Sequence, residues 1–237
     1  MTTLLSICDA VCDEIQETRP GAIVGNPAPT ARRLLRYANK TGDRVMREYA
    51  WQALRRTSAF TALAQIEQSG AIPADFDRFI AETFWDRTNK VLVPGPVGAV
   101  EFQSLSSLTV TGASRKFAYR GNAVHVLPAP DGGESYAFDY VSNLWCSNGA
   151  GAGQTAFLAD TDVPYLDAEL MVCGIMAEWL SSEGMPVAAA AGQYDSRYRT
   201  LIGNDAPGGD VMTVADIFGG ERRSGAAPLV SGNIYYG

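Results

Sequence analysis

Histidine is almost missing from this chain, which has His125 and no other, and cysteine is sparse, at Cys8, Cys12, Cys146 and Cys173. A Ser–His or Cys–His nucleophile pair would have to use His125. In "NAVHVLP", strand alternation sets His125 opposite Val124 and Val126, which reads as a half-exposed strand histidine. Cysteines without a CxxC spacing or a Cys/His pairing argue against zinc and against a disulfide framework, and imply buried, reduced thiols. Calcium-loop spacing is absent as well, so neither metal nor cofactor is implied. No apolar run approaches the roughly 18 residues of a membrane span. The opening "MTTLLSICDAVCDEIQ" has no cationic region and carries acids inside its apolar stretch, unlike a secretory signal. The expectation is a chain made in the cytoplasm and kept soluble. Internal repeats are absent too.

Positive charge is also in short supply. Across 237 residues, 19 Lys and Arg face 26 Asp and Glu, a net charge of -7. That excludes a general nucleic-acid binder, whose affinity comes from cationic contacts to phosphate. It leaves room for a local basic patch, or for an acidic surface that DNA slides past.

The Gly-rich stretch "SNGAGAGQT", Ser147 to Thr155, lacks the features of a phosphate loop. Gln154 stands where the lysine should be, the glycines are too close, and "TAFLAD" after it reads as a strand rather than a helix. It predicts a flexible hairpin tip.

What is present orders itself along the chain. Leu4, Ile7, Cys8, Val11, Cys12 and Ile15 recur at three and four, predicting a helix over about 3–17. A breaker-rich loop, "RPGAIVGNPAP", precedes a second helix over about 30–50 with Thr30 as N-cap. Its apolar line is Ala31, Leu34, Leu35, Ala38, Val45, Met46 and Tyr49. From about 57 to 160, short aromatic and aliphatic runs separated by Gly, Pro, Asn and Asp predict strands, with "YRGNAVHVL" a hairpin turning at Gly121-Asn122. Helical spacing returns over about 163–183, with Asp162 as cap, Pro164 in the first turn and Leu166, Leu170, Cys173, Ala177 and Leu180 as the stripe. Another helix is predicted over about 186–202. Residues 207–237 combine many Gly and Pro with Ile217, Phe218, Leu229, Ile234, Tyr235 and Tyr236, the composition of an extended arm that docks on a neighbour. The fold class expected is α+β, an antiparallel β-rich region inserted between N- and C-terminal helices that bundle together, followed by the arm.

Two charged features stand out. The second helix carries Arg32, Arg33, Arg36, Lys40, Arg44 and Arg47 on roughly a third of its circumference. This stripe reads as a solvated face, as a contact with an acidic neighbouring subunit, or as a DNA contact. The second feature is "ADFDRFIAETFWDRTNKVLVPGPV", where Asp75, Asp77, Glu82 and Asp86 interleave with Arg78, Arg87, Lys90 and the aromatics Phe76, Phe79, Phe84 and Trp85. Paired carboxylates could do glycosidase work. Cations this close favour neutralised pairs over a carboxyl with a raised pKa.

Within that stretch, Ile72-Pro73, Phe76-Asp77-Arg78, Trp85-Asp86-Arg87-Thr88 and Gly95-Pro96 resemble the head-to-tail adaptor proteins of tailed bacteriophages (connector, head-completion or tubular tail protein A-like). Trp51 upstream and "FAYRGNAVHVLPAP" and "YAFDYVSNLW" downstream are similar to that family too, so the resemblance covers nearly the whole chain. It implies a structural virion protein of the neck, not an enzyme. Such a protein forms a dodecameric homo-oligomeric ring that binds the portal above and a tail nozzle, stopper or tail-tube protein below. Phage DNA would pass through its channel without sequence-specific binding. It further implies packing and subunit contact for Phe76, Arg78, Phe79, Trp85, Asp86 and Arg87, and portal binding for the arm. Arg36, Lys40 and Arg44 are the subunit-contact candidates of the stripe. The alternatives are another tail or neck component (stopper, terminator or baseplate part) and a cell-wall glycan-degrading enzyme.

Overall fold

Thr3 starts the first helix as its chemistry predicts: its Oγ1 accepts from the Ser6 backbone N–H at 3.4 Å, and α1 runs Leu4–Ile15. The computed structural model describes residues 2–107 and 114–205. The predicted arm lies outside the described residues. The buried stripe of α1 is Leu4, Ile7, Cys8, Val11 and Cys12. Its Leu4 and Leu5 N–H groups donate to the carbonyls of Asp162 and Asp160, at 2.8 and 3.2 Å. A distant loop thus satisfies donors that a helix start leaves open.

The second helix, α2, spans Pro29–Glu48 and starts without the predicted Thr30 cap. Proline occupies its first turn, where the fixed φ is already helical, and Asn26 Oδ1 holds the Ala28 N–H at 2.9 Å. Ala31, Leu34, Ala38, Thr41, Gly42, Val45 and Met46 are buried.

A 3₁₀ turn, Gln52–Leu54, then leads into β1 (Arg55–Thr61), β2 (Glu67–Gln68), β3 (Phe76–Phe79), β4 (Trp85–Asp86) and β5 (Val91–Leu92). A helix, α3 (Ala99–Ser107), interrupts a region whose sequence predicts only strands. Phe102 sits edge-on to the His125 ring at 5.8 Å and lies under the Arg120 guanidinium. A helix of 9 residues with none of them buried leaves little periodicity to read. After it come β6 (Lys116–Arg120), β7 (Ala123–Leu127), β8 (Ser135–Ser142), β9 (Cys146–Ser147), β10 (Gly153–Gln154) and β11 (Val163–Pro164). The β6–β7 hairpin turns at Gly121 and Asn122, both at positive φ, as the sequence predicts.

All strand pairs among the described residues are antiparallel. In the largest sheet β8 is central: β1 lies along one edge, while β3 and β4 share the other and β5 pairs with β4. The sheet β2-β7-β6 and the sheet β10-β9-β11 complete the set. The fold is mixed α+β with antiparallel sheets.

The last two described helices are α4 (Ala168–Ser182) and α5 (Ala188–Asp205). The sequence reading starts α4 too early. Asp167 is the N-cap, accepting from the Leu170 N–H at 2.8 Å, while Val163–Pro164 belongs to β11. Asp162 instead ties its own loop, accepting from Leu158 and Ala159 N–H groups at 2.7 and 2.8 Å. "TAFLAD" is therefore a loop and not the predicted strand. The α4 stripe is also rotated from expectation. Leu170, Met171, Gly174, Ile175 and Trp179 are buried, while Cys173 and Leu180 are partly exposed. The physical reason is that α4 packs against three helices, α1, α2 and α5, so two adjacent faces are covered instead of one.

Two apolar clusters result. One joins α1, α2, α4 and α5 with Val141, Trp145, Cys146 and Phe157. The other is the aromatic interior of the β region, around Phe84, Phe117, Tyr136, Phe138 and Tyr140. Alternation along β8 gives Val141 to the first and Tyr136, Phe138 and Tyr140 to the second, so one strand joins both. At the seam Gly42 lies so close to the Trp145 ring that a Cβ would overlap it, and Trp145 Nε1 donates to Asp43 Oδ1 at 3.0 Å.

Candidate functional site

The central cluster divides as the strands require. Phe76 and Phe79 touch each other at 4.7 Å between ring centroids, and Phe79 lies 4.9 Å from Phe138 and 5.3 Å from Phe117. Both belong to the aromatic interior. A bulge between Phe76 and Arg78 shifts the β3 register against β8. Arg78 reaches the C-terminal end of α2, donating through Nη2 to the carbonyls of Tyr49 (2.8 Å) and Met46 (3.2 Å) and through Nη1 to Asp77 (2.6 Å). A guanidinium there satisfies carbonyls left open by the helix end and faces its negative pole. One arginine thus clips the β region to the helices.

Trp85 is only half-buried, paired across from Leu92 and Ala137. Its neighbour Phe84 is the deep residue, 2 % exposed, stacked at 4.3 Å on Phe117 and nearly parallel to Phe138. Adjacent strand residues point to opposite faces, and nothing in "FW" itself says which ring turns inward.

Asp86 does not pair with its sequence neighbour Arg87, which is exposed. Its buried carboxylate accepts from the Asn89 backbone N–H (2.9 Å) and Nδ2 (2.8 Å) and lies 3.6 Å from Arg115. Burial pushes its pKa up, but those donors and the Arg115 charge outweigh burial and hold it below the usual carboxylate range. Arg115 also donates to Glu134 (2.8 Å), Asp131 (2.9 Å) and Tyr136 Oη (3.1 Å). Sequence reasoning missed this network: its members are spread from residue 86 to residue 136, and only the β8 pairing gathers them. Asp75 likewise accepts from Tyr140 Oη (2.9 Å) and Ser142 Oγ (2.7 Å). Asp75, Asp77 and Asp86 thus serve as acceptors within the fold, while Glu82 is exposed.

The arginine stripe of α2 splits into two sets. Arg33 bonds Ser182 and Glu183 and stacks on the Trp179 ring at 4.3 Å. Lys40 and Arg44 converge on Glu178 at 2.7 and 3.0 Å, and Arg44 also covers the Tyr194 ring. These three cations hold α2 on α4 and α5. Arg32, Arg36 and Arg47 are exposed, and among the described residues their side chains make no hydrogen bond or ion pair. Angular position on the helix separates the two sets, but which arc meets α4 is a tertiary fact.

Three of the four thiols, Cys8, Cys12 and Cys146, are buried. Burial first, then nearby Cys12 and Asp9, pushes the Cys8 thiol up to about 12. Burial, with Asp162 and Asp43 close by, does the same to Cys146. A thiol so shifted stays protonated and inert at neutral pH. His125 lies beneath Phe102 with Nε2 3.8 Å from Glu67, on the face opposite Val124 and Val126. The Gly-rich stretch is the β9–β10 hairpin tip, where Asn148 Oδ1 accepts from Ala150 and Ala152 N–H groups. Among the described residues no three His, Cys, Asp or Glu side chains are grouped to hold a metal ion, and no helix is long and apolar enough to cross a membrane. The arm candidates Ile217, Phe218, Leu229, Ile234, Tyr235 and Tyr236 lie outside the described residues. Compared with known proteins, the chain matches no protein-family model and no curated protein.

Proposed function

We propose that this chain is a structural virion protein, a ring-forming adaptor that joins the portal of a phage capsid to the tail and continues the DNA channel. The reading starts from the sequence resemblance over Ile72–Pro96 and its flanking strands. The observation that carries it further is the division of labour among charged groups. Arg78, Asp75, Asp86 and Arg115 are consumed in holding the β region together and onto the helices, whereas Arg32, Arg36 and Arg47 leave three like charges uncommitted on an exposed face of α2. Such a molecule offers surface for binding. Helices from both chain ends packed around α4, with the strands inserted between, are in keeping with the bundle-plus-insertion plan of that family. In this reading residues 207–237 form the arm that engages the portal.

The test is reconstitution. Purified full-length chain mixed with portal protein should give a ring-on-ring particle by native mass measurement and electron microscopy, and a chain ending at Ala206 should lose attachment. A full-length chain that never binds portal, under conditions where portal itself is assembled, removes the adaptor role.

A further inference from the structure

Between α4 and α5 lies an open cleft of about 770 Å³ whose lining includes Glu14, Glu169, Val172, Cys173, Met176 and Ala189. Val172, Cys173 and Met176 give it an apolar α4 wall, Gln193, Ser196 and Thr200 line the α5 side, and its charged residues are Glu14, Glu169 and Arg197. Glu14 is exposed and makes no ion pair or hydrogen bond among the described residues. Glu169 is 67 % exposed and shares Arg197 with Asp167, at 3.2 and 2.8 Å, so Arg197, the one cation among the described lining residues, is already neutralised. The cleft therefore suits a partner with cationic heads on aliphatic stems, the chemistry of arginine.

The same molecule carries that chemistry on its other side. Around α4, Gly174 and Glu178 meet α2 through Thr41, Lys40 and Arg44. Glu169, Val172, Cys173 and Met176 face the cleft. At 3.6 residues per turn these two sets fall on roughly opposite sides of the helix. The exposed Arg32, Arg36 and Arg47 lie on the face of α2 turned away from its buried stripe, farther still from the cleft. Arginine face and cleft cannot meet within one chain, but they can meet between two.

We propose that the Arg32–Arg36–Arg47 face of α2 seats in the α4/α5 cleft of a second copy, a head-to-tail contact that closes into a ring or continues as a filament. This rests on the assembled-ring reading above and names its interface. Nucleic acid is the disfavoured occupant of the arginine face, because the chain as a whole is at -7.

The experiment uses the full-length chain with Arg36→Glu, with Glu14→Arg, and with both, followed by sedimentation velocity at low and high salt. Each single reversal should weaken self-association by about tenfold or more, and the double reversal should recover most of the loss. Arg44 is left intact, since its Glu178 contact holds the subunit together. A second readout needs no charge reversal. Arg36→Cys should be joined to the partly exposed Cys173 of another copy by a short bismaleimide, and Cys173→Ser should abolish the dimer band. Circular dichroism checks that every variant is folded. A wild-type chain that stays monomeric with and without portal overturns the proposal, as do single reversals that assemble normally or a missing cross-link. Reversals that still give portal-bound rings sink this interface and leave the adaptor reading standing. Rings that are lost and recovered as expected but never bind portal do the opposite. Loss of duplex-DNA binding in Arg36→Glu with unchanged assembly would reassign the face to nucleic acid.

Discussion

The helical layer and the β region of this protein solve the same burial problem with different materials. Around α4 the interior is mostly aliphatic, and its charges stay at the rim as ion pairs between helices, such as Lys40 and Arg44 on Glu178. The β interior is built of stacked rings, with a buried polar network, Asp86–Arg115–Glu134–Tyr136, at one side. Strands as short as β4 and β5 supply few ladder hydrogen bonds, so large aromatic area and a satisfied ionic network take over the work of fixing register. A helix satisfies its own backbone and needs only a stripe.

That contrast can be broken most directly at Phe84. Phe84→Ala should cost about 4 kcal/mol, since the ring stacks on Phe117 and Phe138 in a closed interior, and urea unfolding would measure it. Trp85→Ala, one residue on, should cost well under half of that because the ring is half-buried. Equal losses at the two positions would mean that the strand parity is wrong.

Arg115→Ala should come next, at about 3 kcal/mol, because it strands the buried Asp86 and Glu134 carboxylates without their cation. The network also sets a pH dependence. Burial tends to raise Asp86 and Glu134, yet backbone donors and Arg115 leave both below their ordinary values. Groups depressed in the folded state contribute stability that is present above their unfolded pKa, about 4, and is lost as pH falls through the folded value. The wild type should therefore lose stability on acidification below about pH 4, and Arg115→Ala should flatten that slope. Thermal melts from pH 7 to pH 2.5 test this.

In the helical layer the sharpest equivalent is Gly42→Ala. The added methyl meets the Trp145 ring, and overpacking should cost about 2 kcal/mol. Smaller still is Asp167→Ala, which removes the α4 N-cap and the Arg197 contacts for about 1 kcal/mol. Reversal of exposed Arg36 should leave subunit stability within about half a kcal/mol, separating assembly from folding.

The α1 stripe, the α2 stripe, the Gly121-Asn122 hairpin and the mixed α+β class were legible before any coordinates, because each depends on neighbours within a turn or a hairpin. Sequence by itself also determined that cations crowd one arc of α2. Tertiary structure alone decided which of them are spent on α4 and which stay free, because that depends on where another helix lies. It decided that Phe84 and not Trp85 points inward, since strand parity follows from pairing with β8. It chose Arg115 over Arg87 as the partner of Asp86. It moved the start of α4 from Asp162 to Asp167, because Asp162 is drawn into the loop that satisfies the amides of α1. Local chemistry proposes caps, stripes and pairs, and a buried carboxylate takes whichever donor the fold brings within 3 Å of it, here the Asn89 N–H groups.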